Sequence, residues 1–285
     1  MRSGEFTAKR TIRRRYAEDF AYSERLLVEA HRIHRVLCER DVPPGQNSAK
    51  TVAVGLWMKT CKQYRSVLVL GELGLVEDAE VIVRSLFETT IQTAFVLKRN
   101  IRLSRGWGTA PKAPHGGYST EFRARLYLAR QVVNEEKRTK AWHGRVGLKT
   151  SARRVSDAVA EKVRIVETWL GPAWVEWLRC RSMAAFKVET MAGNVGLARW
   201  YHAVYGPQST IAHAGDALTH LRATDDATTI DAKLGADIDS VPGPLHLANA
   251  MCGLAARFVN SRFRLGLDRT LADLAAGAQA LLDRM

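Results

Sequence analysis

The sequence is poor in cysteine and proline, and it lacks the long apolar run that a membrane span requires. Its four cysteines form no C-x-x-C pair, which argues against a zinc ribbon or a redox motif and fits a reducing compartment. The longest apolar run, residues 66–76, is interrupted by Glu72 and is too short to cross a bilayer. No apolar segment follows the basic N-terminus, so no secretory leader is expected. We therefore expect a cytoplasmic protein that does not enter membranes.

Several motifs that bind nucleotides or carry nucleophiles are also missing. The sequence contains neither the G-x-x-x-x-G-K-[ST] phosphate loop nor a strand-borne G-x-G-x-x-G, and it has no serine nucleophile elbow. No cofactor is therefore expected. With 285 residues, 46% of them hydrophobic, the chain is long enough to form a large core.

Positive charge is abundant and unevenly distributed. The net charge is +14, and residues 98–164 alone hold 17 Lys and Arg against 5 Asp and Glu. Residues 165–285 are close to neutral, with 11 basic against 12 acidic side chains. Concentrated positive charge of this kind is typical of proteins that neutralise the phosphates of a polyanion, although it also serves simply to solvate helices.

Apolar residues recur at helical spacing along most of the chain, and no convincing parallel strand pattern is present. We predict an all-α, multi-helix bundle with a long N-terminal helix over residues 9–39. Residues 1–45 are predicted as a basic helical segment and residues 46–285 as the bundle domain, with a basic region at 98–164. Further helices are predicted at 47–70, 75–97, 121–142, 151–170, 172–185, 194–204, 207–222, 244–265 and 268–284.

The predicted helix over residues 75–97 is apolar around most of its circumference. Its polar residues recur at steps of three and four, which places them in one stripe on a helix. The stripe consists of Glu77, Glu80, Arg84, Glu88 and Gln92. Arg84 and Glu88 either form a simple i,i+4 pair on an exposed face or belong to a functional site.

A second polar face follows Pro207. Its members are Ser209, His213, Asp216 and His220, all on one side of a helix. Three interpretations remain open: a solvated face, a catalytic face on which His213 moves a proton beside Asp216, or a metal site formed by His213, Asp216 and His220. In the catalytic interpretation Arg84 lies opposite His213 and holds a phosphate bidentately.

The loop at 102–120 combines basic and aromatic side chains, and further basic residues follow it. This mixture suits a single-stranded nucleic acid, by charge and by stacking; a surface insertion is the alternative. The predicted nucleic-acid-binding residues are Arg102, Arg105, Trp107, Lys112, Arg123, Arg130, Arg153 and Arg154.

The segment D-A-E-V-I-V-R-S-L-F-E at residues 78–88 resembles the signature helix of a bacterial family whose function is unknown. The spacing Tyr205-x3-Ser209-x3-His213 resembles the second motif of that family, and the likeness extends over residues 50–265. The family is similar to the HEPN helical bundles, many of which are ribonucleases of toxin and anti-phage systems. This resemblance implies a HEPN-like core and an RNA substrate.

The leading hypothesis is therefore nucleic-acid binding, RNA rather than DNA, with metal-independent cleavage. The predicted catalytic residues are His213, Arg84, Glu88, Ser209 and Tyr205. One alternative is a non-enzymatic interaction protein that forms a homodimer through its helices. The other is a metal-dependent enzyme that uses the His213 face.

Overall fold

The apolar periodicity of the sequence corresponds to helices in the computed structural model. The structure describes residues 2–43, 45–103, 105–113, 117–143, 149–205, 221–223, 230–232 and 236–282. The helices are α1 (Arg2–Arg15), α2 (Ala17–Glu39), α3 (Asn47–Glu72), α4 (Val76–Leu97), α5 (Thr120–His143), α6 (Lys149–Leu170), α7 (Pro172–Cys180), α8 (Val188–Val195), α9 (Ala198–Trp200), α10 (Pro242–Phe263) and α11 (Asp268–Leu282). The predicted all-α, multi-helix architecture is confirmed.

Short elements complete the chain. A 3₁₀ turn covers Arg105–Trp107, and a π-helical turn covers Tyr201–Tyr205. Strands β1 (Leu221–Ala223) and β2 (Ile230–Ala232) pair antiparallel, with Leu221 opposite Ala232. None of the helices that the structure describes combines the length and the apolarity that a bilayer crossing needs.

Several helix boundaries differ from the predictions. The helix predicted over 172–185 ends at Cys180. The N-terminal helix is divided at Tyr16, whose backbone leaves the helical region (φ −114°, ψ 36°). The predicted helix at 194–204 is interrupted at Gly196, which adopts the left-handed φ of +79° that favours glycine; α8 ends before it, and α9 and the π-helical turn follow it. The predicted end of the helix after Pro207 falls in β1, and most of that helix lies outside the described residues.

The chain divides into two compact units. The first unit comprises Met1–Arg40, Val54–Ala94 and Leu197–Met285. The second unit comprises Asp41–Ala53 and Phe95–Gly196. The N-terminal helices therefore pack within a larger unit that also contains α10 and α11.

A buried polar network lies inside the core of the first unit, where α2 packs against α10. The Ser23 hydroxyl donates to Asn249 Oδ1 at 3.0 Å, and the Tyr64 hydroxyl lies 2.5 Å from the same oxygen. Trp57 Nε1 donates to the Ala30 carbonyl at 3.0 Å. Buried polar groups are costly without partners, so these bonds orient α2, α3 and α10 in one arrangement.

Gly74, in the turn between α3 and α4, occupies a position that only glycine fits. Its φ is +70°, and a Cβ there would lie 2.6 Å from the Cβ of Ala236. The Gly74 carbonyl also accepts a hydrogen bond from the Asp237 amide at 2.9 Å. The turn thus holds the segment before α10 against the start of α4.

Aromatic rings form the core of the second unit. Trp174 contacts Phe122 at 5.1 Å between ring centroids, and Trp107 contacts Trp177 at 5.3 Å. Trp174 and Trp177 are buried, whereas Trp169, on α6, is 47% exposed.

An ion-pair network on the second unit makes its stability pH-dependent. Burial acts to raise the pKa of Glu136, but hydrogen bonds from Lys140 at 2.7 Å and Arg179 at 3.0 Å outweigh it and hold the pKa below the usual 4.5. A carboxyl with a depressed pKa stabilises the fold above the ordinary pKa, and this contribution is lost as the pH falls through the lower pKa of the folded state.

We expect Glu136→Gln to lower the free energy of unfolding by about 1 kcal/mol at pH 7, and by progressively less as the pH falls below 4.5 and through the lowered pKa of the folded state. Urea denaturation across this pH range measures the difference. Glu161→Gln is the control, because Glu161 pairs with Arg164 at 2.6 Å but its side chain is 54% exposed. An unchanged difference for Glu136→Gln at pH 3 and pH 7 would contradict the assignment.

Candidate functional site

The candidate site begins with the polar stripe of α4. Val83, Leu86, Phe87 and Ile91 point into the core and are fully buried. The stripe residues Glu77, Glu80, Arg84, Glu88 and Gln92 stay exposed or half-buried on the other side, as their spacing predicts. The helix therefore presents a polar edge while its apolar faces hold it in place.

The π-helical turn Tyr201–Tyr205 supplies the second part of the site. The rings of Tyr201 and Tyr205 stack at 4.8 Å with an interplanar angle of 19°. The imidazole of His202 meets the Tyr201 ring edge-on at 5.3 Å. Single π turns of this kind are rare and occur frequently at functional sites.

Arg84 joins these two elements within the first unit. Its Nη2 donates a hydrogen bond of 2.7 Å to the Tyr205 hydroxyl, and its Cζ lies 4.5 Å from the centroid of the Tyr205 ring. Its Nε lies 3.7 Å from Glu88 Oε1. The Arg84 side chain is 15% exposed, so the guanidinium is held in one orientation by a ring, a hydroxyl and a carboxylate.

This arrangement is suited to an oxyanion. A guanidinium has five N–H donors, and one of them is used by Tyr205. Because the Tyr205 oxygen accepts that bond, its own O–H remains able to donate. A fixed guanidinium next to a hydroxyl donor can hold two oxygens of one phosphate, at a site whose side chains are already ordered.

The structure thus brings together three of the five predicted catalytic residues: Arg84, Glu88 and Tyr205. Ser209 and His213 lie outside the described residues, so their predicted roles stay predictions. The same is true of the alternative metal set formed by His213, Asp216 and His220. Across the part of the chain that the structure describes, no group of three or more His, Cys, Asp or Glu is placed to hold a metal ion.

Two of the predicted nucleic-acid-binding residues are instead core residues of the second unit. Trp107 is buried between Phe95, Trp177 and Phe186, which leaves no face for a base. Arg123 is 1% exposed, and its guanidinium donates to main-chain carbonyls at the end of α4. The surface role predicted for both residues is wrong, because partners distant in sequence enclose them.

Arg130 also packs inside the second unit, against Phe186. Its Cζ lies 4.4 Å from the centroid of the Phe186 ring, and burial lowers the pKa of its guanidinium from the usual value. Arg102 and Lys112, in contrast, are exposed as predicted. The side chains of Arg105, Arg153 and Arg154 lie outside the described residues.

Several exposed cations of the second unit lie beyond the residues predicted to bind nucleic acid. They form no ion pair with another described residue, whereas Lys140, Lys162 and Arg164 are all paired with carboxylates. These unpaired side chains, together with Arg102 and Lys112, are Arg99, Lys137, Arg138, Arg181 and Lys187. Their spacing shows no motif, and only the absence of a carboxylate partner among the described residues separates them from the paired cations.

The rings beside Tyr205 were not among the predicted site residues. The run W-Y-H-A-V-Y at residues 200–205 contains four aromatic side chains in six positions. That density is a signal in the sequence by which they could have been found. Trp200 and His202 are both exposed.

A family model supports the resemblance to a family of unknown function. The model of a family of unknown function, DUF5677, matches residues 50–228. The chain belongs to this family. The region that matches the DUF5677 model includes the whole of α4 and the π-helical turn. A search of curated proteins found no match, and neither did a search of solved structures.

Proposed function

We propose that this DUF5677 protein binds RNA and holds a phosphate of the chain at Arg84 for metal-independent cleavage. The observation that carries the proposal is the fixed guanidinium of Arg84, hydrogen-bonded at 2.7 Å to Tyr205 and backed by Glu88. An ordinary solvated arginine keeps its rotamer freedom, whereas this one is ordered before any ligand arrives. The resemblance of the sequence to HEPN bundles favours RNA over DNA and a role in toxin or anti-phage defence.

The charge of the second unit supports binding of a polyanion. Seven of its cations are exposed and have no carboxylate partner among the described residues. Every cation that lies on a phosphate releases counterions from the nucleic acid, which contributes affinity without sequence preference. These cations would contribute affinity for the phosphates of the strand.

The proposed reaction is an internal transesterification. The ribose 2′-oxygen bonds to the adjacent phosphorus, the bond from phosphorus to the 5′-oxygen breaks, and a 2′,3′-cyclic phosphate forms. One proton leaves the 2′-hydroxyl and one enters the departing 5′-oxygen. Arg84 would neutralise the non-bridging oxygens of the phosphorane, and His213 is the proposed proton acceptor. Glu88, Tyr205 and Ser209 would support them, and no step requires a metal ion.

Incubation with end-labelled RNA, with and without EDTA, tests the reaction. Cleavage that persists in EDTA and is lost in His213→Ala supports the proposal. Cleavage that is lost in EDTA contradicts it and favours the metal-dependent alternative. An absence of both binding and cleavage contradicts it too, and a dimer in sedimentation would then favour the interaction protein.

Binding should weaken as the salt concentration rises. For a single strand that makes about four phosphate contacts, an increase from about 50 to 200 mM salt should weaken the affinity about 50-fold.

Replacing both Lys137 and Arg138 by Glu should weaken RNA binding at a given salt concentration. It should also make the affinity depend less steeply on the salt concentration, because fewer phosphates are neutralised. The matched control is the double variant in which Lys162 and Arg164 are replaced by Glu. It changes the net charge of the protein by the same amount, but both of these side chains already have carboxylate partners. Equal effects of the two double variants would show that only net charge matters.

A further inference from the structure

The rings of Tyr201, His202 and Tyr205 form a continuous ladder with the guanidinium of Arg84 in the first unit. The guanidinium of Arg84 lies on the Tyr205 ring, Tyr205 stacks on Tyr201, and His202 contacts Tyr201 edge-on. The centroid distances along this ladder are 4.5, 4.8 and 5.3 Å. Ladders of this type are stiff, because each ring limits the rotation of the next.

His202, at the end of the ladder away from Arg84, is open to solvent. Trp200, two positions earlier in the chain, is 42% exposed. The rings of the second unit behave differently, since Trp107, Trp174 and Trp177 are all buried against one another. Core packing therefore explains why the second unit contains these rings. It does not explain why Trp200 and His202 are exposed to solvent.

Positive charge flanks these rings. Arg199 is exposed immediately before Trp200, and Arg84 occupies the inner end of the ladder. Aromatic rings flanked by cations are suited to binding a single-stranded nucleic acid, because its bases stack on aromatic faces and its phosphates contact cations. A duplex keeps its bases stacked on each other and offers no free face to these rings.

We propose that residues 199–205 are a stacking platform for an unpaired base of single-stranded RNA. The base would stack at Trp200 and His202, and Arg199 and Arg84 would neutralise the flanking phosphates. This inference rests on the proposed RNA-binding function and narrows its substrate to single-stranded or looped RNA.

Replacement of Trp200 tests the platform. The probes are a fluorescein-labelled 12-nucleotide single-stranded RNA, the same RNA annealed to its complement, and inorganic polyphosphate, which has charge without bases. Trp200→Ala should weaken binding of the single strand about tenfold, and Trp200→Phe should restore most of the affinity. Binding of the duplex and of polyphosphate should change less than about twofold, because neither offers an unpaired base.

Trp169→Ala is the matched control, because Trp169 is a similarly exposed tryptophan, at 47%, on α6. It should leave all three affinities unchanged, and far-ultraviolet circular dichroism checks the fold of each variant. Single-strand binding equal to that of the wild type in Trp200→Ala would overturn the platform and leave the proposed function standing. A failure of the wild-type protein to bind any of the RNA probes would overturn both.

Discussion

Replacement of Arg123 by leucine is expected to lower the free energy of unfolding by about 3–5 kcal/mol. The Arg123 guanidinium is buried and donates from Nε to the Phe95 carbonyl at 2.6 Å and from Nη2 to the Val96 carbonyl at 3.3 Å. It also bonds to the carbonyls of Tyr118 and Lys98. The last carbonyls of a helix have no partner inside the helix, so Arg123 completes the hydrogen bonding at the end of α4. Urea denaturation followed by circular dichroism measures the change.

Two further variants of α5 test whether Arg123 stabilises the fold through its hydrogen-bond geometry or through its charge. Arg123→Lys keeps the charge, but a single ammonium cannot reach carbonyls on several sides, so it should restore less than half of the loss. Arg125→Ala removes a neighbouring arginine that is 40% exposed and pairs with Glu121 at 3.4 Å, and it should cost less than about 1 kcal/mol. A leucine variant as stable as the Arg125→Ala protein would show that the carbonyl contacts contribute little.

Replacement of Arg84 by alanine is expected to reduce the rate of RNA cleavage about 100- to 1,000-fold, which is the usual cost of removing one preorganised group from the transition state. Arg84→Lys should recover little, because lysine cannot bind two phosphate oxygens in a plane. Tyr205→Phe should have a smaller effect, since the ring under the guanidinium stays and only the hydroxyl at 2.7 Å is lost. Single-turnover cleavage of labelled RNA by saturating protein measures the chemical step.

The control for Arg84 is Arg257→Ala, which removes an exposed arginine of α10 in the same unit. It should cleave at the wild-type rate, and both variants should retain their melting temperature to within a few degrees. Wild-type cleavage by a folded Arg84→Ala protein would remove Arg84 from the mechanism. RNA binding would then have to be explained by the exposed cations of the second unit alone.

Helix class and the polar stripe of α4 were predictable from the sequence because both depend on local periodicity. Five polar residues at steps of three and four define one edge of a helix whatever the helix packs against. The burial of Trp107 and Arg123 was not predictable in this way. A basic and aromatic loop resembles a nucleic-acid surface in composition, and only the packing of Trp177, Phe186 and the end of α4 around these side chains makes them core residues.

The sequence by itself determined the all-α class, the excess of positive charge and the residues that share the edge of α4. The tertiary structure alone decided that Arg84 meets Tyr205, 121 positions further along the chain. It also decided which arginines remain free to contact a ligand. The reason is physical: helical periodicity is set by neighbours within one or two turns, whereas the environment of a side chain is set by segments that the fold brings together from distant parts of the chain.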